Sequence, residues 1–163
     1  MYPAEIYSEG YRTEEDLLTD QEKVAETPYV FTTQGARILL VDDNEINREV
    51  AKAILEPLKL QIDEAVNGRE AVIFAEKNDY DIIFMDSHMP IMNGEEATAC
   101  IRNMETGINQ NVPIIAVTAD AVSGVRERLL ESGMNDYIMK PIDVELICDI
   151  IKRYLPEEKV IEI

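Results

Sequence analysis

Asp81-Ile82-Ile83-Phe84-Met85-Asp86-Ser87-His88-Met89-Pro90-Ile91-Met92-Asn93-Gly94 is the stretch whose reading decides the fold. The apolar run Ile82 to Met85 is too short for a helix and carries no alternation, as a strand buried on both faces would. It ends in a carboxylate, and a loop containing Pro90 and Gly94 follows. The C-terminal end of a parallel strand is where ligands gather, and a carboxylate left alone there would be costly, so Asp86 must meet water, a cation or a donor. Taken by itself, Asp86 also reads as an ordinary turn residue.

Working outward, the same grammar recurs. Arg37 to Val41 is a short apolar strand stopping at Asp42 and Asp43. Asn44 can cap a helix carrying Ile46, Val50, Ala53, Ile54 and Leu58, spaced to bury one face. Leu60 to Val66 reads as a strand, and Asn67-Gly68 turns the chain into a helix with Ala71, Val72 and Ala75 inward. After Gly94 a helix runs through Ala97, Ile101 and Met104. Pro113 to Val117 is a fourth strand, ending at Thr118, and its helix carries Val122, Val125, Leu129 and Leu130. Asn135 to Met139 is a fifth, stopping at Lys140-Pro141, followed by a helix with Val144, Ile147, Ile150, Ile151 and Tyr154. Five strand-helix units predict an α/β fold: a doubly wound, five-stranded parallel sheet with helices on both faces.

The core would span residues 35–156. Residues 1–34 differ, with eight Asp or Glu against Arg12 and Lys23, and read as an acidic linker or extension with a helix start at Thr13. Residues 157–163 read as a short tail. The chain has 163 residues, 15 Lys and Arg against 33 Asp and Glu, and a net charge of −18, which disfavours nucleic acid and anionic lipid as partners. No apolar run reaches the eighteen or so residues of a membrane span, and no secretory signal opens the chain, so a soluble, cytoplasmic protein is expected. Cys100 and Cys148, far apart and without a CxxC pair, read as buried small hydrophobes.

In a parallel sheet all five strand ends face one edge. That edge receives Asp42, Asp43, Asp86, Thr118 and Lys140. Three carboxylates repel one another unless a raised pKa or a cation intervenes, and an all-oxygen set without His or Cys favours Mg²⁺ over zinc. Acids with a cation, a hydroxyl and an ammonium form a receptor for a phosphoryl group. Asp86, ending the strand expected at mid-sheet, is the acceptor, with Thr118 donating a hydrogen bond and Lys140 neutralising charge.

These motifs resemble the receiver domains of two-component response regulators: Ile38 to Asn44, Asp81 to Asp86 with Met89-Pro90 and Asn93-Gly94, Pro113 to Ala119, and Tyr137 to Pro141. The resemblance implies the flavodoxin-like strand order 2-1-3-4-5 and phosphorylation of Asp86 from a phosphohistidine. It implies Mg²⁺ (or Mn²⁺) on Asp43, Asp86 and the backbone carbonyl of His88, with Asp42 acting through water. It further implies a cis bond before Pro141, a switch through Thr118 and Tyr137, and tuning of the phosphoryl lifetime by His88 and Asp120.

Val41 to Arg48 looks most like receivers of hybrid sensor histidine kinases, which would make a histidine kinase or histidine phosphotransfer domain the partner and place the chain in the cytoplasmic part of a membrane-bound sensor. A stand-alone regulator is the alternative. A homodimer through the switching face is open, as is whether the domain counts as an enzyme beyond assisting its own phosphorylation and dephosphorylation. Asn93 replaces the family's usual Asp, and Ser87-His88 is an uncommon filling. Two other classes compete: a phosphatase or phosphotransferase, against which stand the absence of acid-x-acid spacing and of a glycine-rich phosphate loop, and a receiver-like binding module that is never phosphorylated.

Overall fold

The computed structural model describes residues 29–105, 107–119 and 123–163. By internal contact the chain divides into residues 1–30 and 31–163. Of the first unit only Tyr29 and Val30 are described, so the helix start expected at Thr13 lies outside the described residues, as do Asp120 and Val122.

The second unit is built on a parallel sheet of β2 (Arg37–Val41), β3 (Gln61–Ala65), β4 (Ile82–Asp86), β5 (Ile114–Thr118) and β6 (Asp136–Met139). Its order is β3-β2-β4-β5-β6, which for these five strands is 2-1-3-4-5. Every residue of β4 and β5 is buried, which is why these strands read as unbroken apolar runs.

Period-two alternation divides the sheet residues between two layers. Leu39, Val41, Ile83, Met85 and Ala116 cluster with Ala71 and Ala75 of α2 (Gly68–Lys77), Ala97 and Ile101 of α3 (Gly94–Arg102), and Val125 and Leu129 of α4 (Val125–Glu131). The alternate set, including Ile38, Leu40, Phe84, Ile115 and Val117, faces the other way. There the buried residues of α1 (Glu45–Leu55) and α5 (Val144–Tyr154) lie.

The helices start where the sequence supplies caps. Asn44, Asn67, Asn93 and Asp143 each accept a backbone N–H three residues on, and Asn93 with Glu96 completes a capping box; each such cap contributes about 1 kcal/mol. Because each cap follows a strand end or its loop, the helix starts ring the edge to which the strands point.

The phase of α1 differs from the expectation. Ile46 and Val50 are 72% and 50% exposed and Ala53 is exposed, whereas Ala51 and Leu55 are buried; Leu58, expected inward, is buried in the turn just after the helix. Both stripes have helical spacing, so apolar pattern alone does not choose between them. Arg48, on the inward side one turn before Ala51 and Lys52, hydrogen-bonds the main chain of Asp42 and draws that side of the helix to the sheet. Cys148 is buried as expected, but Cys100 is exposed because Ala97, Thr98 and Ile101 take the inward face of α3. Leu130 is likewise exposed, opposite the inward Val125 and Leu129.

Two further strands were invisible in the sequence. β1 (Phe31–Thr33) and β7 (Val160–Glu162) pair antiparallel, with Phe31 opposite Glu162 and Thr33 opposite Val160. Phe31 is fully buried. The hydroxyls of Thr32 and Thr33 donate to the carbonyls of Pro57 and Leu58 at 3.3 and 2.7 Å, and Lys159 Nζ bonds Asp81 at 2.9 Å. This clasp ties the beginning of the unit to its end at the strands' N-terminal edge.

Candidate functional site

Three carboxylates meet at the opposite edge. One oxygen each of Asp42, Asp43 and Asp86 lies within 4.8 Å of the others. Asp42 and Asp86 are 5% and 4% exposed, while Asp43 faces solvent. Lys140, following β6, places Nζ 3.4 Å from both Asp42 Oδ2 and Asp86 Oδ1. The Lys140 N–H donates to the Thr118 carbonyl at 2.8 Å, which continues the β5–β6 register one residue beyond the strand.

Backbone donors hold the acids. Asp42 Oδ1 accepts from the Asn44 N–H at 2.9 Å, and Asp86 Oδ1 accepts from the His88 N–H at 3.3 Å. Burial, and then the neighbouring Asp42 charge, push the Asp86 carboxyl above the usual carboxylate range, against Lys140 and the His88 N–H, which pull it down. A buried acid disfavoured as an anion beside two more acids attracts compensating positive charge. The all-oxygen donor set fits a hard divalent cation: two or three protein ligands, with room on the exposed Asp43 side for water.

The loop after Asp86 turns tightly. Met92 N–H bonds the Pro90 carbonyl two residues back at 2.7 Å, with Ile91 between them at φ 71°. Such an i to i+2 bond about a positive-φ residue is a classic γ-turn, a strained conformation found where structure around it insists on it. Gly94 must be glycine: a Cβ there would collide with the main-chain oxygen of Asp86. The Gly68 N–H holds the Met92 carbonyl at 3.0 Å, tying the loop to the start of α2.

The remaining residues singled out from sequence fall as follows. Thr118 is fully buried at the end of β5. Tyr137, on β6, is half-buried against the core cluster. The Lys140–Pro141 bond is cis. His88 is exposed at the loop. Sequence reasoning missed Arg48, whose guanidinium reaches the Asp42 carbonyl at 2.8 Å and Glu64 at 3.0 Å. Its signal was available: an arginine one turn into the helix that starts directly after the acid pair. Beside the acids, a pocket of about 220 Å³ is lined mainly by Leu40, Val50, Ala51, Val117, Pro141 and Ile142.

Residues 38–152 match the model of the response regulator receiver domain. The chain belongs to that family. Among similar proteins, the hybrid signal transduction histidine kinase I of Dictyostelium discoideum is 37% identical over 132 residues, covering 76% of this chain and 8% of that protein. The histidine-protein kinase BarA of Escherichia coli is 36% identical over 139 residues, covering 85% of this chain and 14% of that protein. The chain thus spans a small fraction of the curated relatives it matches.

Two solved structures are similar. The receiver domain of the sensor histidine kinase PA1611 from Pseudomonas aeruginosa, with magnesium coordinated in its active-site cleft, is 41% identical with a TM-score of 0.68, covering 74% of this chain and 98% of that one. The co-crystal of the Saccharomyces cerevisiae phosphotransfer protein Ypd1 with the receiver domain of Ssk1 gives 31% identity and a TM-score of 0.69, covering 77% and 90%. The chain is therefore a receiver domain of two-component phosphorelay type, homologous to the receivers of hybrid kinases. No helix among the described residues is long and apolar enough to cross a membrane.

Proposed function

We propose that Asp86 accepts a phosphoryl group from a phosphohistidine. The carrying observation is the pairing of a buried carboxylate at the end of the central strand with Lys140 Nζ at 3.4 Å and two further acids within 4.8 Å. One Asp86 oxygen attacks phosphorus, the phosphorus–nitrogen bond breaks, and its electron pair stays on the imidazole, which takes a proton from solvent. The product is an acyl phosphate on Asp86. Lys140 neutralises one phosphoryl oxygen, and the Thr118 hydroxyl donates to another.

Mg²⁺ (or Mn²⁺) would be held by Asp43, Asp86 and the His88 backbone carbonyl, with Asp42 acting through water. When bound, the cation supplies charge neutralisation to the acids and the incoming phosphoryl oxygens. The magnesium in the similar Pseudomonas receiver supports this assignment.

The donor is a histidine kinase or histidine phosphotransfer domain. Exposed Ile46 and Val50 and the apolar pocket border the acids, a surface suited to the apolar side of a histidine-bearing helix. The complex of the similar Ssk1 receiver with Ypd1 supports that partner class. Phosphorylation moves Thr118 and turns Tyr137 inward, altering the face of α4, β6 and α5, through which two copies would pair. His88 and Asp120 tune the lifetime. The parent is a hybrid sensor histidine kinase acting in the cytoplasm, within which the acidic stretch before Phe31 is a linker or extension, residues 31–34 belonging to the domain through the clasp. At −18, the chain does not take nucleic acid as a partner.

The test is intact mass after incubation with Mg²⁺ and a small phosphodonor such as acetyl phosphate. Wild type should gain one phosphoryl group and Asp86→Asn none, and chelation should abolish the gain. A gain surviving the substitution removes Asp86 from its role. No gain with any donor favours the binding module, and sustained turnover favours an enzyme.

A further inference from the structure

We infer that Arg48 is a positioning residue of the cation site, acting through the peptide that joins Asp42 to Asp43. The inference rests on the proposed divalent-cation site. Arg48 Nη1 donates to the Asp42 carbonyl at 2.8 Å, and that carbonyl belongs to the Asp42–Asp43 peptide. The guanidinium is itself aimed by Glu64 of β3, whose Oε1 accepts from Nε at 3.0 Å, and its side chain is only 13% exposed. Glu64 is braced in turn by Lys52 Nζ at 2.9 Å.

The peptide needs such a grip because the two acids are held unequally. Asp42 has its N–H on the Ala65 carbonyl, its carboxylate on the Asn44 N–H, and Lys140 nearby. The Asp43 carboxylate has no hydrogen-bond or ion-pair partner among the described residues. Its direction is therefore set by its own backbone, and the Asp42–Asp43 peptide is the plane that sets it. Arg48 fixes one oxygen of that plane with a planar, two-pronged donor, a task a lysine ammonium cannot duplicate while also holding Glu64.

This makes a prediction that distinguishes positioning from general support. Mg²⁺ demands near-ideal octahedral geometry, whereas Ca²⁺ accepts longer and more irregular coordination. Loosening the acid pair should therefore penalise Mg²⁺ far more than Ca²⁺. Partial unfolding would weaken both ions alike.

Calorimetric titration with each ion, on the full chain at a temperature where thermal scans show every variant folded, provides the test. Arg48→Lys should weaken Mg²⁺ binding about tenfold, the low end of what loss of an outer-shell support costs a metal site. Ca²⁺ binding should fall less than about twofold. Glu64→Ala, which releases the guanidinium from its other end, should shift the Mg²⁺ to Ca²⁺ ratio the same way and serves if Arg48→Lys does not fold. Lys152→Ala, which removes a surface ion pair to Glu162 at the clasp and touches none of these groups, should leave the ratio unchanged. Equal loss of both ions, or Mg²⁺ affinity unchanged in Arg48→Lys, overturns the inference. Failure of the wild type to bind either ion overturns the cation site itself, a separate outcome.

Discussion

Replacing Asp86 with Asn should stabilise the cation-free domain at neutral pH. At an effective dielectric of about 20, Asp42 within 4.8 Å repels the Asp86 charge by at least about 3.5 kcal/mol, and Lys140 at 3.4 Å attracts it by about 5 kcal/mol. These nearly offset, leaving at most about 1.5 kcal/mol in favour of the anion, whereas burying a carboxylate costs several kcal/mol. The raised Asp86 pKa has the same sign, with burial as its first cause. Asn removes the burial cost and keeps the shape, for an expected gain of about 1–2 kcal/mol, or about 5 °C in Tm for a unit of this size.

The pH dependence gives the sign its test. An acid whose folded pKa stands above its unfolded value penalises the folded state wherever the site must be charged, and costs nothing below the ordinary carboxylate range. Wild type should lose this part of its stability as pH rises through the raised value, and Asp86→Asn should not. Thermal unfolding by circular dichroism, in chelator, should show the variant more stable at about pH 7.5, with the difference vanishing by about pH 3.5. Added Mg²⁺ should then stabilise wild type more than the variant. A variant less stable than wild type at neutral pH, or a gap that persists in acid, refutes the reasoning.

Gly94→Ala forces a methyl against the Asp86 main-chain oxygen and 3.0 Å from Met85 Cγ; urea melts should show a loss of about 1–3 kcal/mol, and intact mass a sharp drop in phosphorylation. Phe31→Ala empties a fully buried site in the clasp, so denaturant melts should show a loss of about 3–5 kcal/mol while the folded fraction still takes up one phosphoryl group. Cys100 is exposed, whereas burial pushes the Cys148 thiol up to about 11. A thiol reagent near neutral pH should therefore label one cysteine rapidly in the native protein and both in denaturant.

The central strands were legible because they are buried on both faces. A run such as Ile82 to Met85 needs no phase to be recognised, and the polar residues at the strand ends then gather by topology alone. That is why Asp42, Asp43, Asp86 and Lys140 could be brought together before any coordinates. Helix phase was less legible. In α1 the sets Ile46–Val50–Ala53 and Ala51–Leu55 are both apolar at helical spacing, and the choice is made by Arg48 reaching Asp42 and Glu64, a contact between elements. Arg48 was passed over as a charged helix residue, although its place one turn after the acid pair marked it. The clasp was illegible on two counts: three-residue strands carry no period, and their pairing spans nearly the whole unit.

That clasp has a mechanical meaning. Chain continuing from Phe31 and chain continuing from Glu162 leave at the same end of the antiparallel pair. Tension applied through the two flanking segments would therefore load its hydrogen bonds one after another, as in a zipper, instead of all together in shear. A pull from neighbouring parts of a longer polypeptide would part these three residue pairs before it strained the parallel sheet, leaving the acid edge at the far side undisturbed.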